Sequence, residues 1–262
     1  MPIQPQANSG AAPAPDVLLM ATALTRRFGG LAAVDAVSIE LRRGEVHAVI
    51  GTNGAGKSTL VNMLSGELAP SAGTIRLGGV DITGWSQPRR ARAGIGRSYQ
   101  RTNVFEAFSV FQNARLSAQA ARQRPWALWE SAATCRRSGA VASHAIAAAG
   151  LTPHALLSAG ALSHGGKRQL EIAMCLASAP QVLLLDEPLA GMGAEETERM
   201  LALLAELKRG HAVLLIEHDM DAVFRIADRI TVMVNGSVIA SGSPAAIRVD
   251  PQVRIAYLGE DA

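Results

Sequence analysis

The chain has 262 residues, a formal charge of +3, and 48% hydrophobic side chains, so it is long enough to bury a substantial core. Mean hydropathy is +0.17, yet no stretch approaches the roughly 20 apolar residues of a membrane-spanning helix, so any work at a membrane is expected to pass through a partner. Lys and Arg are scattered or sit in small clusters such as Arg89-Arg90 and Arg136-Arg137, without interleaved aromatics, which argues against a nucleic-acid partner. Cys135 and Cys175 show neither metal-ligand nor redox spacing, and with no secretory signal they read as buried thiols in a reducing compartment.

Residues 1–16 are rich in Pro, Ala, Gln and Asn; with almost nothing to bury, they are expected to form a disordered tail ahead of one domain over 17–262. Strands are expected at 17–24 and 34–41, with Phe28 just ahead of the Gly29-Gly30 turn between them. In such a chain, where aromatics are only 4%, that ring is placed either to stack on a base or to pack under the first sheet.

A further apolar strand at 45–50 leads into Gly51-Thr52-Asn53-Gly54-Ala55-Gly56-Lys57-Ser58, followed by a helix over 57–66. This fits G-x-x-x-x-G-K-S/T between strand and helix, a phosphate-binding loop. Backbone N–H groups from Gly51, Asn53, Gly54, Ala55 and Gly56 through Ser58 and Thr59 can surround phosphate oxygens at a helix N-terminus. Lys57 is expected to bridge β- and γ-phosphates, and the Ser58 hydroxyl to bind Mg2+.

Short strands at 74–77 and 80–83 flank a Gly78-Gly79 turn. From 101 to about 160 strand signals vanish and Ala, Arg and Gln recur at helical spacing, which predicts a helical subdomain inserted into the core. Gln100 stands at the junction, where an amide can coordinate Mg2+ and a water while sensing the inserted lobe.

Helix (166–178), strand (182–186), helix (194–208) and strand (212–217) then alternate, which predicts an α/β fold with right-handed crossovers and a mainly parallel sheet. Asp186 ends an aliphatic strand, so its carboxylate emerges at the sheet edge to hold Mg2+. Glu187 follows and can act as general base on the attacking water. An Asn235-Gly236 turn predicts a hairpin at 230–234 and 237–240, and a helical tail is expected over about 241–262.

Leu162-Ser163-His164-Gly165-Gly166 precedes an amphipathic helix. Ser163 can donate its hydroxyl, and Gly165 and Gly166 with the helix dipole can receive an anion; the simpler reading of Ser163 is a helix N-cap. With the phosphate loop, the Asp186-Glu187 pair and His218 in this order, the chain resembles the ATPase subunits of ABC (ATP-binding cassette) transporters. Phe28-Gly29-Gly30-Leu31, Arg168-Gln169-Leu170-Glu171-Ile172-Ala173, Pro188-Leu189-Ala190-Gly191-Met192 and Ala256-Tyr257-Leu258-Gly259 narrow the resemblance to the branched-chain (hydrophobic) amino acid importers.

That resemblance implies a P-loop NTPase core with an N-terminal antiparallel β subdomain and an inserted α-helical subdomain. It implies ATP and Mg2+ as ligands, hydrolysis by Glu187 with His218 orienting the water at the γ-phosphate, and Phe28 on the adenine. Ser163, Gly165 and Gly166 are implied to face the nucleotide of a second ATPase subunit, self or paralogue. Two membrane permeases and, indirectly, a periplasmic solute-binding protein complete the importer, with this subunit at the cytoplasmic face of the inner membrane. The solute is a branched-chain amino acid or, alternatively, an amide, urea or an aromatic acid. A soluble ABC ATPase of repair or translation is the competing class; those chains typically carry two cassettes or a long coiled coil. His164 in place of the commoner glycine, Gly166 in place of Gln or Glu, and Gly193 in place of aspartate depart from the family pattern, so symmetric coupling of the two ATP sites does not carry over.

Overall fold

The computed structural model describes residues 16–99, 103–122 and 136–258. Gln100, Cys135 and all but the last residue of the N-terminal tail expected over 1–16 lie outside the described residues. The N-terminal part forms β1 (Val17–Phe28) and β2 (Leu31–Arg42), then β3 (Val46–Gly51) and α1 (Lys57–Ser65), then β4 (Ala72–Leu77) and β5 (Val80–Asp81). A short helix α2 (Gln87–Arg92) and strand β6 (Ile95–Arg97) lead to the lobe helices α3 (Val110–Arg122) and α4 (Arg136–Ala148). Helix α5 (His164–Leu176), β7 (Val182–Asp186), α6 (Ala194–Leu207), β8 (Ala212–Ile216) and α7 (Met220–Ile226) alternate after it. The hairpin β9 (Arg229–Val234) and β10 (Ser237–Gly242) and helices α8 (Pro244–Val249) and α9 (Pro251–Leu258) close the chain.

The strands make two sheets. One is antiparallel in the order β2-β1-β4-β5; the other runs β10-β9-β3-β8-β7-β6, parallel throughout except for β10 against β9. All five residues of β7 and of β8 are buried, as their unbroken aliphatic runs require of strands covered on both faces. Alternation then sends Leu184 and Leu214 toward α1 and the antiparallel sheet, while Leu183, Leu185, Val213 and Leu215 meet α6 and α7. Each such side chain removed from water is worth about 1.5–3 kcal/mol.

The inserted lobe has its own core of small residues, Ala114 and Ala142 with Val110 and Ile146, packed on Leu170 and Ala173 of α5. Ile172 of the same helix points into the main core, so α5 joins the two bodies.

Buried Arg90 ties α2 to the C-terminus of α1 by donating to the carbonyls of Met63 (2.7 Å), Leu64 (2.9 Å), Thr83 (2.8 Å) and Trp85 (3.1 Å). Cys175 is partly buried; its thiol lies 2.9 Å from the Arg97 carbonyl, and burial pushes its pKa up to about 12, which makes it inert.

Candidate active site

Strand β3 delivers the chain to the loop at Gly51, where an added Cβ would lie 2.2 Å from the Met233 carbonyl oxygen. Gly56 caps α1 at φ 96, and a Cβ there would lie 2.2 Å from the carbonyl oxygen of Ala33 on β2. Left-handed geometry and close backbone approach both demand glycine at this point. The Gly236 N–H donates to the Ala55 carbonyl (3.1 Å), so the β9–β10 turn braces the loop from outside.

Asn53, Gly54 and Ser58 are exposed along the rim, Ala55 is buried, and Thr59 is half-buried in the first turn of α1. Lys57 Nζ donates to the carbonyls of Gly51 (2.6 Å) and Thr52 (3.0 Å). Burial pushes its pKa down, and the nearby carboxylates of Glu187 and Asp186 oppose the shift. A partly desolvated ammonium beside two carboxylates is poised to exchange its carbonyl contacts for phosphate oxygens.

Asp186 ends β7 and is 3% exposed. Its Oδ1 is buried without a hydrogen-bond partner, and burial raises its pKa against the pull of Arg97. An orphaned carboxylate oxygen facing Lys57 is what a hard divalent cation needs from a protein. With the Ser58 hydroxyl in the adjacent helix turn, the residues fit Mg2+.

Glu187 takes φ 49, a left-handed conformation that costs a non-glycine residue about 1–3 kcal/mol. Its Oε1 lies 3.9 Å from Nδ1 of His218, which is largely exposed. Glu217, 1% exposed, holds both segments together: Oε1 accepts from Leu189 N–H (2.8 Å) and Oε2 from His218 N–H (3.3 Å). Sequence reasoning missed Glu217, whose only signal was its place beside His218 at the strand end.

Phe28 is 47% exposed at the end of β1, with the Arg26 guanidinium 4.8 Å from its ring centroid. The alternative of a core ring is therefore excluded. Arg27 pairs with Ala32 one residue before Ala33, which packs on Gly56, so the Phe28 turn stands close to the phosphate loop.

Lys57, Asp186, Glu187 and His218 are thus brought together; Ser163, exposed, and Gly165 and Gly166, buried, stand apart from them at the start of α5. Ser163 is the N-cap, accepting from Gly166 N–H (3.1 Å), and its own hydroxyl donates to Glu196 Oε1 (2.7 Å). His164 Nε2 lies 3.0 Å from the Ala190 carbonyl oxygen. Gly193 caps α6 with no side chain to offer, and its N–H favours the charged form of Glu196 three residues on, in the manner of one half of a capping box.

Two sheets, an inserted helical lobe and this ordered set of residues define an ATP-binding cassette. The profile of the ABC transporter family matches residues 34–190, and that of the branched-chain amino acid ATP-binding cassette transporters matches 237–262. The high-affinity branched-chain amino acid transport ATP-binding protein LivG of Salmonella typhimurium is 41% identical, over 93% of this chain and 98% of its own. The corresponding protein BraF of Pseudomonas aeruginosa is 39% identical over the same shares. A nucleotide-free ATP-binding cassette from an ABC transporter superposes with a TM-score of 0.83 at 28% identity, covering 93% of this chain and 100% of that one. The chain belongs to the ABC transporter ATP-binding family, in its branched-chain amino acid importer branch. No helix among the described residues is long and apolar enough to cross a membrane.

Proposed function

We propose that the chain binds and hydrolyses ATP with Mg2+ in a head-to-tail pair with a second ATPase subunit, self or paralogue. The pair energises import of a branched-chain amino acid, or of a related small solute, through two membrane permeases. A periplasmic binding protein supplies the solute, and this subunit is peripheral at the cytoplasmic face of the inner membrane. The observation that carries the reading is the convergence of Lys57, the orphaned Asp186 oxygen and the Glu187–His218 pair at the mouth of one phosphate loop.

In this reading Lys57 and the loop N–H groups hold the phosphates, and Phe28 stacks on the adenine. Ser58 and Asp186, with Gln100 from the junction, hold Mg2+, which when bound neutralises charge on the β- and γ-oxygens. Glu187 takes the proton of the attacking water, and His218, positioned through Glu217, orients that water. Ser163 and the N-terminus of α5, with Gly165 and Gly166, receive the γ-phosphate held by the partner. A cavity of about 430 Å³ between the core and the lobe, lined by Gln87, Tyr99, Asn103, Ser117 and Met174, offers a seat for a cytoplasmic helix of the permease. ATP then favours the closed pair, and the permease follows by population shift.

Glu187→Gln tests the chemistry: turnover should vanish while an ATP-bound dimer accumulates in size-exclusion chromatography. Hydrolysis at the normal rate would remove Glu187 as base. Co-purification with the neighbouring transporter subunits, with ATPase activity measured against candidate solutes, identifies the cargo.

A further inference from the structure

The Ser163 hydroxyl has one proton, and it is committed to Glu196 Oε1 at 2.7 Å. The same carboxylate lies against the start of α5: a Cβ built on Gly165 would be 2.7 Å from Glu196 Cδ and 2.8 Å from Oε1. The Ser163 hydroxyl foremost, with the nearby Gly165 N–H, holds its pKa below the ordinary carboxylate range. A charged carboxylate thus lies at an anion-receiving helix N-terminus, bonded to the hydroxyl that a terminal phosphoryl group would use and close against Gly165. Capping of Gly193 alone does not account for this, since a capping-box glutamate needs only its own helix. The arrangement is reinforced on the other side, where His164 holds the Ala190 carbonyl at 3.0 Å.

We infer that Glu196 is an internal stand-in for the partner's γ-phosphate: it closes the Ser163–Gly165 surface in the separated subunit and must swing away before ATP can join the pair. A single hydroxyl proton cannot serve both anions, so the two contacts exclude each other. Glu196 therefore acts as an autoinhibitory contact that raises the ATP concentration required for closure and resets the surface after phosphate leaves. The same side chain keeps Gly193, which lacks the aspartate common in the family, capped while the subunit waits. This inference rests on the trans-acting role of Ser163.

The test uses the full-length chain, with its co-purifying ATPase partner where it has one, in a Glu187→Gln background. ATP-driven association is followed by sedimentation velocity. Glu196→Gln, which keeps the shape and the cap, should lower the ATP concentration for half-maximal pairing about threefold, and Glu196→Ala about tenfold. Unchanged or raised midpoints in both variants, with unaltered melting of the Gln variant, overturn the inference. Ser163→Ala in the same background separates the two claims. If it leaves pairing intact, the trans-acting role itself fails; if it weakens pairing while the Glu196 variants change nothing, only the stand-in is wrong.

Discussion

Arg168 donates to Glu171 Oε2 at 2.9 Å, and the pair, 7% and 6% exposed, brackets the junction between core and lobe. Arg168 also donates to the Tyr99 carbonyl (2.7 Å), and Glu171 Oε1 accepts from Asn103 N–H (2.8 Å). The residues on either side of the segment that holds Gln100 are therefore clamped by one turn of α5. Breaking a buried pair by removing one charge costs about 3 kcal/mol or more. Glu171→Gln should lower stability by that amount in urea unfolding and reduce ATP turnover. The double variant Arg168→Met/Glu171→Leu should recover much of the stability and none of the turnover, because Tyr99 and Asn103 stay unclamped.

Glu217 separates two consequences of its burial. Glu217→Ala leaves the Leu189 N–H unpaired, at a cost of about 1–3 kcal/mol, and releases His218. We expect a lowered melting temperature together with a reduced kcat and little change in KM for ATP. Glu217→Gln keeps one acceptor oxygen for the shorter Leu189 contact and presents an NH2 to the His218 N–H, so it should lose less stability than Glu217→Ala while still lowering kcat. Burial pushes the carboxyl pKa up while the two backbone N–H groups oppose the shift, so the loss in the Gln variant reports the second N–H contact rather than the charge.

Gly56→Ala confronts a positive φ and a carbonyl oxygen at 2.2 Å. We expect a loss of about 3 kcal/mol or more in unfolding free energy and loss of ATP binding by calorimetry, since β2 and the loop must separate. Gly54→Ala, with nothing within 4 Å of the added Cβ, should cost less than half as much and separate conformational strain from collision.

His47 carries a pH signature. Burial lowers its pKa from 6.5 to about 4, with its ring nitrogens at 3.0 Å from the Glu40 carbonyl oxygen and 2.8 Å from Thr231 Oγ1. The folded state therefore prefers the neutral ring. The associated stability is complete above pH 6.5 and declines as pH falls from 6.5 through 4, by about 3 kcal/mol in all. Chemical denaturation of wild type and His47→Gln at intervals across that window should show this slope in the difference between them. The raised carboxyls of Asp186 and Glu171 act in the opposite sense and cancel in the comparison.

Much of the fold was legible because burial on both faces writes itself into the chain. The runs at 182–186 and 212–217 coincide with β7 and β8, the second one residue shorter in the structure, and the Asn235-Gly236 turn stands between β9 and β10. The expected strands at 17–24 and 34–41 extend to Phe28 and back to Leu31, because Arg26, Arg27 and Phe28 pair across to Val34, Ala32 and Leu31 right up to the Gly29-Gly30 turn. Three-residue β6 and six-residue α2 went unread; elements that short owe their existence to the sheet edge and to Arg90 rather than to periodicity.

The site divides along the same line. The phosphate loop and the Asp186-Glu187 pair at a strand end stand out in the sequence by motif, and His218 is read only through the family resemblance. Glu217 and Glu196 do not, because an acidic residue next to a strand or in a first helical turn looks solvated until its tertiary neighbours are known. Ser163 is the N-cap, as the simpler reading had it, and within its own chain its hydroxyl donates to Glu196.

The left-handed backbone at Glu187 has a cost for anyone who would harden this protein. Glycine or asparagine would sit there more comfortably than glutamate, so a redesign guided by conformational preference alone would exchange it early. If Glu187 is the base proposed above, the product would withstand more heat and do no work, because the exchange removes the carboxylate that stands 3.9 Å from His218.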